Sequence, residues 1–140
     1  MVVRGLTAAE LLDVWERGQD RPPVEQVLLL LALCTGMGPD ALAALSIGRR
    51  DALLLHTRRQ TFGDTLAGWA ECPECRERLE FATSVGDLLP ATSSDPDELL
   101  LAIGEPEHFD ARVGELDIRM RAPNSLDVMA IGACADGSPS

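Results

Sequence analysis

The chain has 140 residues, 46% hydrophobic and 25% charged, so it is long enough for one domain with a real core or for two very small lobes. Its formal net charge of −11 and aromatic fraction of 4% argue against nucleic-acid binding, which needs a basic face and stacking platforms. The start lacks the apolar region of a signal peptide, and the apolar run 27–34 is far shorter than the ~18 residues of a membrane span. We therefore expect a cytoplasmic protein.

The first part of the chain predicts a group of helices. Thr7 and Glu10 form a capping-box pattern, which starts a helix that carries Leu12 and Trp15 on its apolar face. A second helix begins at Pro23 and is apolar nearly all round. This pattern is typical of the central buried helix of a bundle, with docking onto a partner chain as the alternative.

A further helix is predicted to begin after Ser46, whose hydroxyl can cap it. Its apolar residues repeat every three or four positions as one seam of heptad type, with Gly63 as a point where the helix can bend or break. The residues of this seam are Ala52, Leu55, Phe62, Leu66 and Trp69. We expect Trp69 to anchor the core. The arginines of this helix, Arg49, Arg50, Arg58 and Arg59, are expected to form a solvated surface paired with acids, or to meet the acidic surface of a partner.

The later elements complete an α+β fold, with an N-terminal helical part, two small β-hairpins and a C-terminal helix. One hairpin turns on a Cys-x-x-Cys knuckle, and the second spans residues 108–121. The predicted segments are residues 1–90 with the knuckle hairpin, 91–106 as linker and short helix, and 107–140 with the second hairpin and last helix. One compact domain is the alternative, and the sequence leaves open a truncated form of a longer chain.

The strongest motif is the run Cys72-Pro73-Glu74-Cys75 in the first hairpin. Two thiolates three residues apart on a tight turn can bind one zinc ion at ~2.3 Å, as in a zinc-ribbon-like knuckle. A structural zinc site needs four ligands, and a second Cys-x-x-Cys is missing. The remaining ligands would come from a second copy, a partner, a lost C-terminal segment, or this chain itself. The candidates in this chain are Cys34, His56, His108 and Cys134.

Two other interpretations of the motif stay open, namely a remnant knuckle without metal and thioredoxin-type redox chemistry. The redox motif should start a helix after a strand, whereas strand-like residues follow Cys75. Taken singly, Cys34 and Cys134 are expected to be small core residues. His56 and His108 are expected to have surface or capping roles.

The sequence contains no pattern typical of a catalytic site, so we expect no enzyme and no catalytic residues. It has no phosphate-binding glycine loop, and no Ser/His/Asp pattern. Acidic residues gather around the linker, where they are expected to serve solubility. They are Asp95, Asp97, Glu98, Glu105, Glu107 and Asp110.

Three runs of the chain carry a family resemblance: residues 48–55 (GRRDALLL), 72–81 (CPECRERLEF) and 121–127 (RAPNSLD). Together they resemble the baseplate-protein family of T-even-like phages and of contractile phage-tail-like injection systems. The resemblance implies a non-catalytic role in baseplate structure or assembly. It also implies other baseplate or tail proteins as partners, with self-association as a further option.

Two features depart from the pattern of that family. Arg76 stands where a glycine is usual after the second cysteine, which opens the knuckle turn to a different conformation. The second CPxCG-type knuckle of longer relatives is missing, which leaves zinc binding open. The alternative function is a zinc-ribbon-like protein–protein adaptor unrelated to such particles, and a CxxC thiol oxidoreductase is the third.

Overall fold

The computed structural model describes residues 3–89, 95–101 and 108–136, and it confirms the predicted α+β class. In chain order the elements are α1 (Ala8–Gly18), α2 (Pro23–Thr35), α3 (Pro39–Ala43), α4 (Ile47–Phe62), β1 (Thr65–Glu71), β2 (Arg78–Ser84), α5 (Val85–Leu88), α6 (Pro96–Leu101), β3 (His108–Val113), β4 (Leu116–Arg121) and α7 (Ser125–Asp136). Within the described ranges, no helix combines the length and the apolar character needed to cross a lipid bilayer.

The first two helices begin where the sequence predicts. The Thr7 hydroxyl accepts from the amide of Glu10, and the Glu10 carboxylate accepts from the amide of Thr7 in return, so the capping box is formed. Pro23 is the first residue of α2, where its missing N–H costs nothing. Gly36 ends α2 in the left-handed conformation, with φ of 71°.

The hydrophobic core lies where α2, α3, α4 and α6 meet. Its most buried leucines include Leu31, Leu42 and Leu53, each with 0% exposure. Full burial of such a side chain is worth about 1.5–3 kcal/mol, so these leucines account for much of the stability. α1 buries Val14 and Gly18, whereas Leu12 and Trp15 are 54% and 64% exposed, so the predicted apolar face of α1 is wrong at both of these residues.

α4 ends at Phe62 and does not continue to Trp69, so the predicted continuous seam is wrong. Gly63 has φ of 90°, which a continuing right-handed helix cannot adopt. The guanidinium of Arg58 then donates to the carbonyls of Gly63 and Thr65, just beyond the last turn of the helix. The backbone enters β1 at Thr65, and β1 carries the last two residues of the predicted seam.

Arg50, Arg58 and Arg59 of α4 are only partly exposed, which corrects the predicted solvated surface. The predicted pairing with an acid is confirmed for Arg50, whose Nη2 donates to Asp51 at 2.8 Å. The side chain of Arg50 is only 13% exposed, and its Nη1 donates to Oγ of Ser125 at 3.1 Å. Arg58 stabilises the end of the helix through two carbonyls. The Nη2 of Arg59 lies 3.1 Å from Nδ1 of His56. Arg50 therefore joins α4 to α7 and Arg58 joins α4 to β1, whereas the Arg59 contact lies within α4.

The two hairpins are separate two-stranded antiparallel sheets, as predicted. β1 pairs with β2 along the whole of both strands, and so does β3 with β4. The amide of Val85 donates to the carbonyl of Asp64 at 2.9 Å, which closes the base of the first hairpin. Ser84 caps α5 by accepting from the amide of Asp87. Gly114, with φ of 64°, occupies the turn of the second hairpin.

The second hairpin and the last helix attach to the start of α4. Asn124 caps α7, because its side-chain oxygen accepts from the amide of Asp127 at 3.1 Å. The amide of Ile47 donates to the carbonyl of Pro123 at 2.9 Å, and Ser46 pairs with Asn124 in an isolated β-bridge. Backbone hydrogen bonds thus join the start of α4 to the segment that leads into α7.

The boundaries of the three predicted segments, 1–90, 91–106 and 107–140, stay predictions. Residues 90–94 and 102–107 lie outside the described residues, and they include most of the predicted linker. The part of that segment that is described, α6, buries Leu99 and Leu100 in the same core as α2 and α4.

Candidate functional site

The Cys72–Cys75 motif forms the turn between β1 and β2, as predicted. The amide of Cys72 donates to the carbonyl of Glu77 at 2.9 Å, which extends the hairpin by one rung beyond the strands. The amide of Arg76 donates to the carbonyl of Cys72 at 2.9 Å and closes a tight turn around the motif. Cys72 is partly exposed and Cys75 is exposed, and both are free thiols. The two sulfurs therefore sit at the solvent-facing end of the hairpin.

Arg76 takes the conformation that the usual glycine would take. Its φ is 60°, and it is the only residue besides glycine with a positive φ in the described ranges. The left-handed conformation costs an ordinary residue roughly 1–2 kcal/mol relative to glycine. The turn thus retains a glycine-like backbone in spite of the arginine side chain.

The backbone of the turn favours the ionised form of Cys72. Hydrogen bonds from the amides of Cys75 and Glu74, followed by one from the Cys75 side chain, lower the pKa of the Cys72 thiol. A thiolate is the form of cysteine that binds soft metal ions and attacks disulfides. Amide-to-sulfur bonds of this kind also orient metal-ligating cysteines. The turn is therefore chemically suited to supply two sulfur ligands to one zinc ion.

The two predicted ligands in the first half of the chain are buried and engaged elsewhere. Cys34 is 2% exposed in the core, as predicted, and burial raises the pKa of its thiol. His56 is 1% exposed, so its predicted surface or capping role is wrong. Because a guanidinium can only donate, the Arg59 contact uses the lone pair on Nδ1 of His56. Neither residue is placed to complete a site at the hairpin turn.

The two predicted ligands in the second half are exposed. His108 lies at the first position of β3, which agrees with a surface role. Cys134 lies on α7 and is exposed, so its predicted place in the core is wrong. The described residues include all four cysteines and both histidines of the chain, and no three His, Cys, Asp or Glu side chains among them are grouped to hold a metal ion. The hairpin turn thus offers two sulfur atoms, which is half of the ligands that a tetrahedral zinc ion requires.

The geometry of the motif differs from that of a thioredoxin-type redox site. In such a site the cysteine pair stands at the N-terminus of a helix, whose dipole stabilises the thiolate. Here strand β1 precedes the pair and strand β2 follows it, so no helix dipole acts on either sulfur. Thiol chemistry at this turn would depend on the local amides alone.

The first hairpin also exposes large apolar side chains that the sequence assigns to the interior. Trp69 is 57% exposed, so its predicted role as a core anchor is wrong. The guanidinium of Arg78 lies 4.9 Å from the centroid of its ring, in cation–π contact on one face of the hairpin. On the other face the ring of Phe81 covers Gly68, where an added Cβ would lie 2.6 Å from the ring.

The second hairpin has one charged face and one apolar face, and this is the functional feature that the sequence analysis missed. The strand register places six charged or titratable side chains together: His108, Asp110, Arg112, Asp117, Arg119 and Arg121. It places six apolar side chains on the opposite face: Phe109, Ala111, Val113, Leu116, Ile118 and Met120. All of the apolar six except the small alanine are at least 38% exposed. The sequence already shows charged and apolar residues alternating strictly along both strands. Such alternation indicates a hairpin with one apolar face, which packs against another element.

A groove between α1 and α2 is the other concave surface of note. Its lining is apolar apart from two glutamines, and it contains no titratable side chain. The lining residues are Leu11, Val14, Trp15, Gly18, Gln19, Pro23, Gln26, Val27 and Leu30. General acid–base catalysis requires a titratable group at the reacting atom, so this groove lacks the means for it.

The site thus defines a class of protein: a small α+β domain that displays a cysteine-tipped hairpin and a second hairpin with an uncovered apolar face. No protein-family model, no curated protein and no solved structure matches the chain.

Proposed function

We propose that the chain is a non-catalytic structural or assembly protein of the baseplate of a contractile phage-tail-like injection system, with other baseplate or tail proteins as its partners. It would fold in the cytoplasm and join the particle there. The resemblance of residues 48–55, 72–81 and 121–127 to that baseplate family is the first support. Two of these runs meet in the fold, because Arg50 donates to Ser125.

The observation that carries the proposal is the uncovered apolar face of β3 and β4. Val113 and Leu116, opposite each other at the turn, are 61% and 67% exposed. A two-stranded hairpin is only marginally stable by itself, and it gains stability when an apolar face is packed against a further element. Contiguous exposed apolar surface is also typical of protein–protein interaction sites. The face therefore supports a protein that works while bound to another chain.

The opposite face of the same hairpin supports a specific orientation in that complex. Arg119 pairs with Asp110 at 2.8 Å, and Arg112 pairs with Asp117 at 3.8 Å across the strands. These charges stay solvated when the apolar face is covered, so only one side of the hairpin is suited to burial.

The proposal is tested by capturing the affinity-tagged chain from the native host and identifying the bound proteins by mass spectrometry. We expect baseplate or tail proteins to be enriched with the wild-type chain. Leu116→Glu should lose them, because it places a charge in the covered face. Leu12→Glu, at an exposed leucine of α1, is the matched control and should retain them. If no baseplate or tail protein is enriched with the wild-type chain, the proposal fails.

The second candidate is a zinc-ribbon-like adaptor unrelated to such particles. It is favoured by the tight turn that the backbone forms around Cys72 and Cys75, which leaves both thiols accessible from solvent. The same capture experiment separates the two candidates. Partners unrelated to tail particles, lost in a Cys72→Ser/Cys75→Ser variant and retained in Leu116→Glu, would favour the adaptor.

A further inference from the structure

The sulfur-bearing end of the first hairpin is surrounded by solvent. The last three residues of β1, from Trp69 to Glu71, are exposed, and so are the residues of β2 from Arg78 to Ala82. Both faces of the hairpin are therefore open on each side of the turn. A second protein can approach Cys72 and Cys75 without displacing any described part of the fold.

The turn offers two sulfur ligands, and the rest of the chain offers no cysteine or histidine to complete them. Structural zinc sites are almost always four-coordinate, with Cys and His as the prevailing ligands. Cys34 and His56 are buried, and the described residues hold no metal-binding group of three or more His, Cys, Asp or Glu side chains. A closed site at this turn thus needs two ligands from a second molecule.

We propose that the hairpin turns of two copies of this chain bind one zinc ion between them, with Cys72 and Cys75 of each copy forming a tetrahedral four-sulfur site. The chain itself provides a matching pair of ligands on an identical turn, so a two-fold axis through the metal satisfies both copies equally. Binding converts four thiols to four thiolate ligands and releases four protons to solvent. No electron transfer takes part in this step.

The test is a titration of the reduced, metal-free full chain with Zn²⁺, followed by light scattering for mass and elemental analysis for metal. We expect the mass to double, with one zinc per two chains, and a chelator to restore the monomer. Co²⁺ in place of Zn²⁺ should give the thiolate-to-metal absorbance of a four-sulfur site. Cys72→Ser/Cys75→Ser should stay monomeric, whereas Cys134→Ser, at another exposed cysteine, should dimerise as the wild type does.

Three results would overturn the inference: one zinc per monomer, no zinc bound under reducing conditions, or a dimer that persists in the Cys72→Ser/Cys75→Ser variant. Circular dichroism of that variant verifies its fold. The inference does not depend on the baseplate proposal, because it uses the purified chain alone. Either can fail while the other stands.

Discussion

Arg50 and Ser125 are 75 residues apart in the chain and 3.1 Å apart in the fold, joined by a hydrogen bond from the guanidinium to the hydroxyl oxygen. Ser125 is completely buried, and Arg50 is nearly so. The contact ties the first turn of α4 to the first turn of α7. It therefore holds the C-terminal hairpin and helix against the helical part of the molecule.

We expect Arg50→Ala to lower the free energy of unfolding by about 1.5–3 kcal/mol, because a charge-assisted hydrogen bond is lost and a buried hydroxyl loses its donor. Urea denaturation followed by circular dichroism measures this. Arg112→Ala is the control, because the Arg112 side chain is 71% exposed and its ion pair with Asp117 should contribute almost nothing to the free energy of unfolding. A double-mutant cycle with Ser125→Ala should give a coupling energy of about 1 kcal/mol; zero coupling would contradict the contact.

Gly5 is required for reasons of space. A Cβ at this position would lie 2.6 Å from the carbonyl oxygen of Gln60, a backbone atom of α4 that cannot move without disturbing the helix. We expect Gly5→Ala to destabilise the protein by about 1–3 kcal/mol through overpacking. Gly48→Ala is the control, because nothing lies within 4 Å of its added Cβ. That variant should be neutral or more stable by up to about 1 kcal/mol. Equal thermal midpoints for the two variants would refute the prediction.

The core is centred on leucines and not on tryptophan, and paired truncations should show this. Leu53 has 0% exposure, so Leu53→Ala should cost about 2–5 kcal/mol in unfolding free energy. Trp69 is 57% exposed, so Trp69→Ala should cost less than about 1 kcal/mol, mostly from the lost cation–π contact with Arg78. Chemical denaturation of both variants measures the difference. A larger loss for Trp69→Ala than for Leu53→Ala would place the tryptophan in the interior after all.

The ion pair between Arg121 and Asp127 should make stability depend on acid pH. The Arg121 side chain, followed by the amide of Asn124, lowers the pKa of Asp127 to about 2. Its unfolded pKa is near ~3.9, so the carboxylate stabilises the fold fully above that value and loses its effect as pH falls towards the folded pKa. Part of the stability should therefore disappear between about pH 5 and pH 2.

Asp127→Asn should flatten this part of the pH dependence, because it removes the titrating group and keeps the shape of the side chain. Thermal unfolding at a series of pH values provides the measurement. Asp117→Asn, at an 82% exposed residue whose ion pair is 3.8 Å long, should leave the pH profile close to that of the wild type. If Asp127→Asn and the wild type lose stability in parallel below pH 5, the ion pair is not responsible.

The starts of elements could be read from the sequence because they depend on neighbouring residues. Thr7 with Glu10, and Ser46, cap helices where the pattern predicts them. The two hairpins were also predicted from local patterns, the first from the Cys72–Cys75 motif and the second from residues 108–121. Each of these signals is complete within a few residues, so no tertiary contact is needed to interpret it.

The position at which α4 ends could not be predicted from neighbouring residues in this way. Leu66 and Trp69 continue the helical spacing of Phe62 by coincidence, and a spacing of three does not by itself separate a helix from a strand. What decides the matter is Gly63 with its positive φ, together with Arg58, which satisfies the carbonyls beyond the helix. The Arg58 side chain that binds the carbonyl of Thr65 lies seven residues before it in the chain.

The sequence also could not predict which individual side chains are buried. His56 lies on α4, and whether it faces the core depends on how that helix packs against its neighbours. Cys134 belongs to a helix that is apolar nearly all round, so composition gives no preferred face. The same limit applies to the candidate metal site. The sequence shows the cysteine pair, but it does not show where the other candidate ligands lie in the fold.

The first hairpin is clamped at its root by Arg58 and by the bond between Val85 and Asp64. At ~3.3 Å per residue, its seven-residue strands place the sulfurs roughly 23 Å from that root. A force applied at the cysteines would therefore be transmitted along the hairpin to its base at the end of α4. A partner bound at the cysteines would therefore be mechanically coupled to the helical part of the molecule.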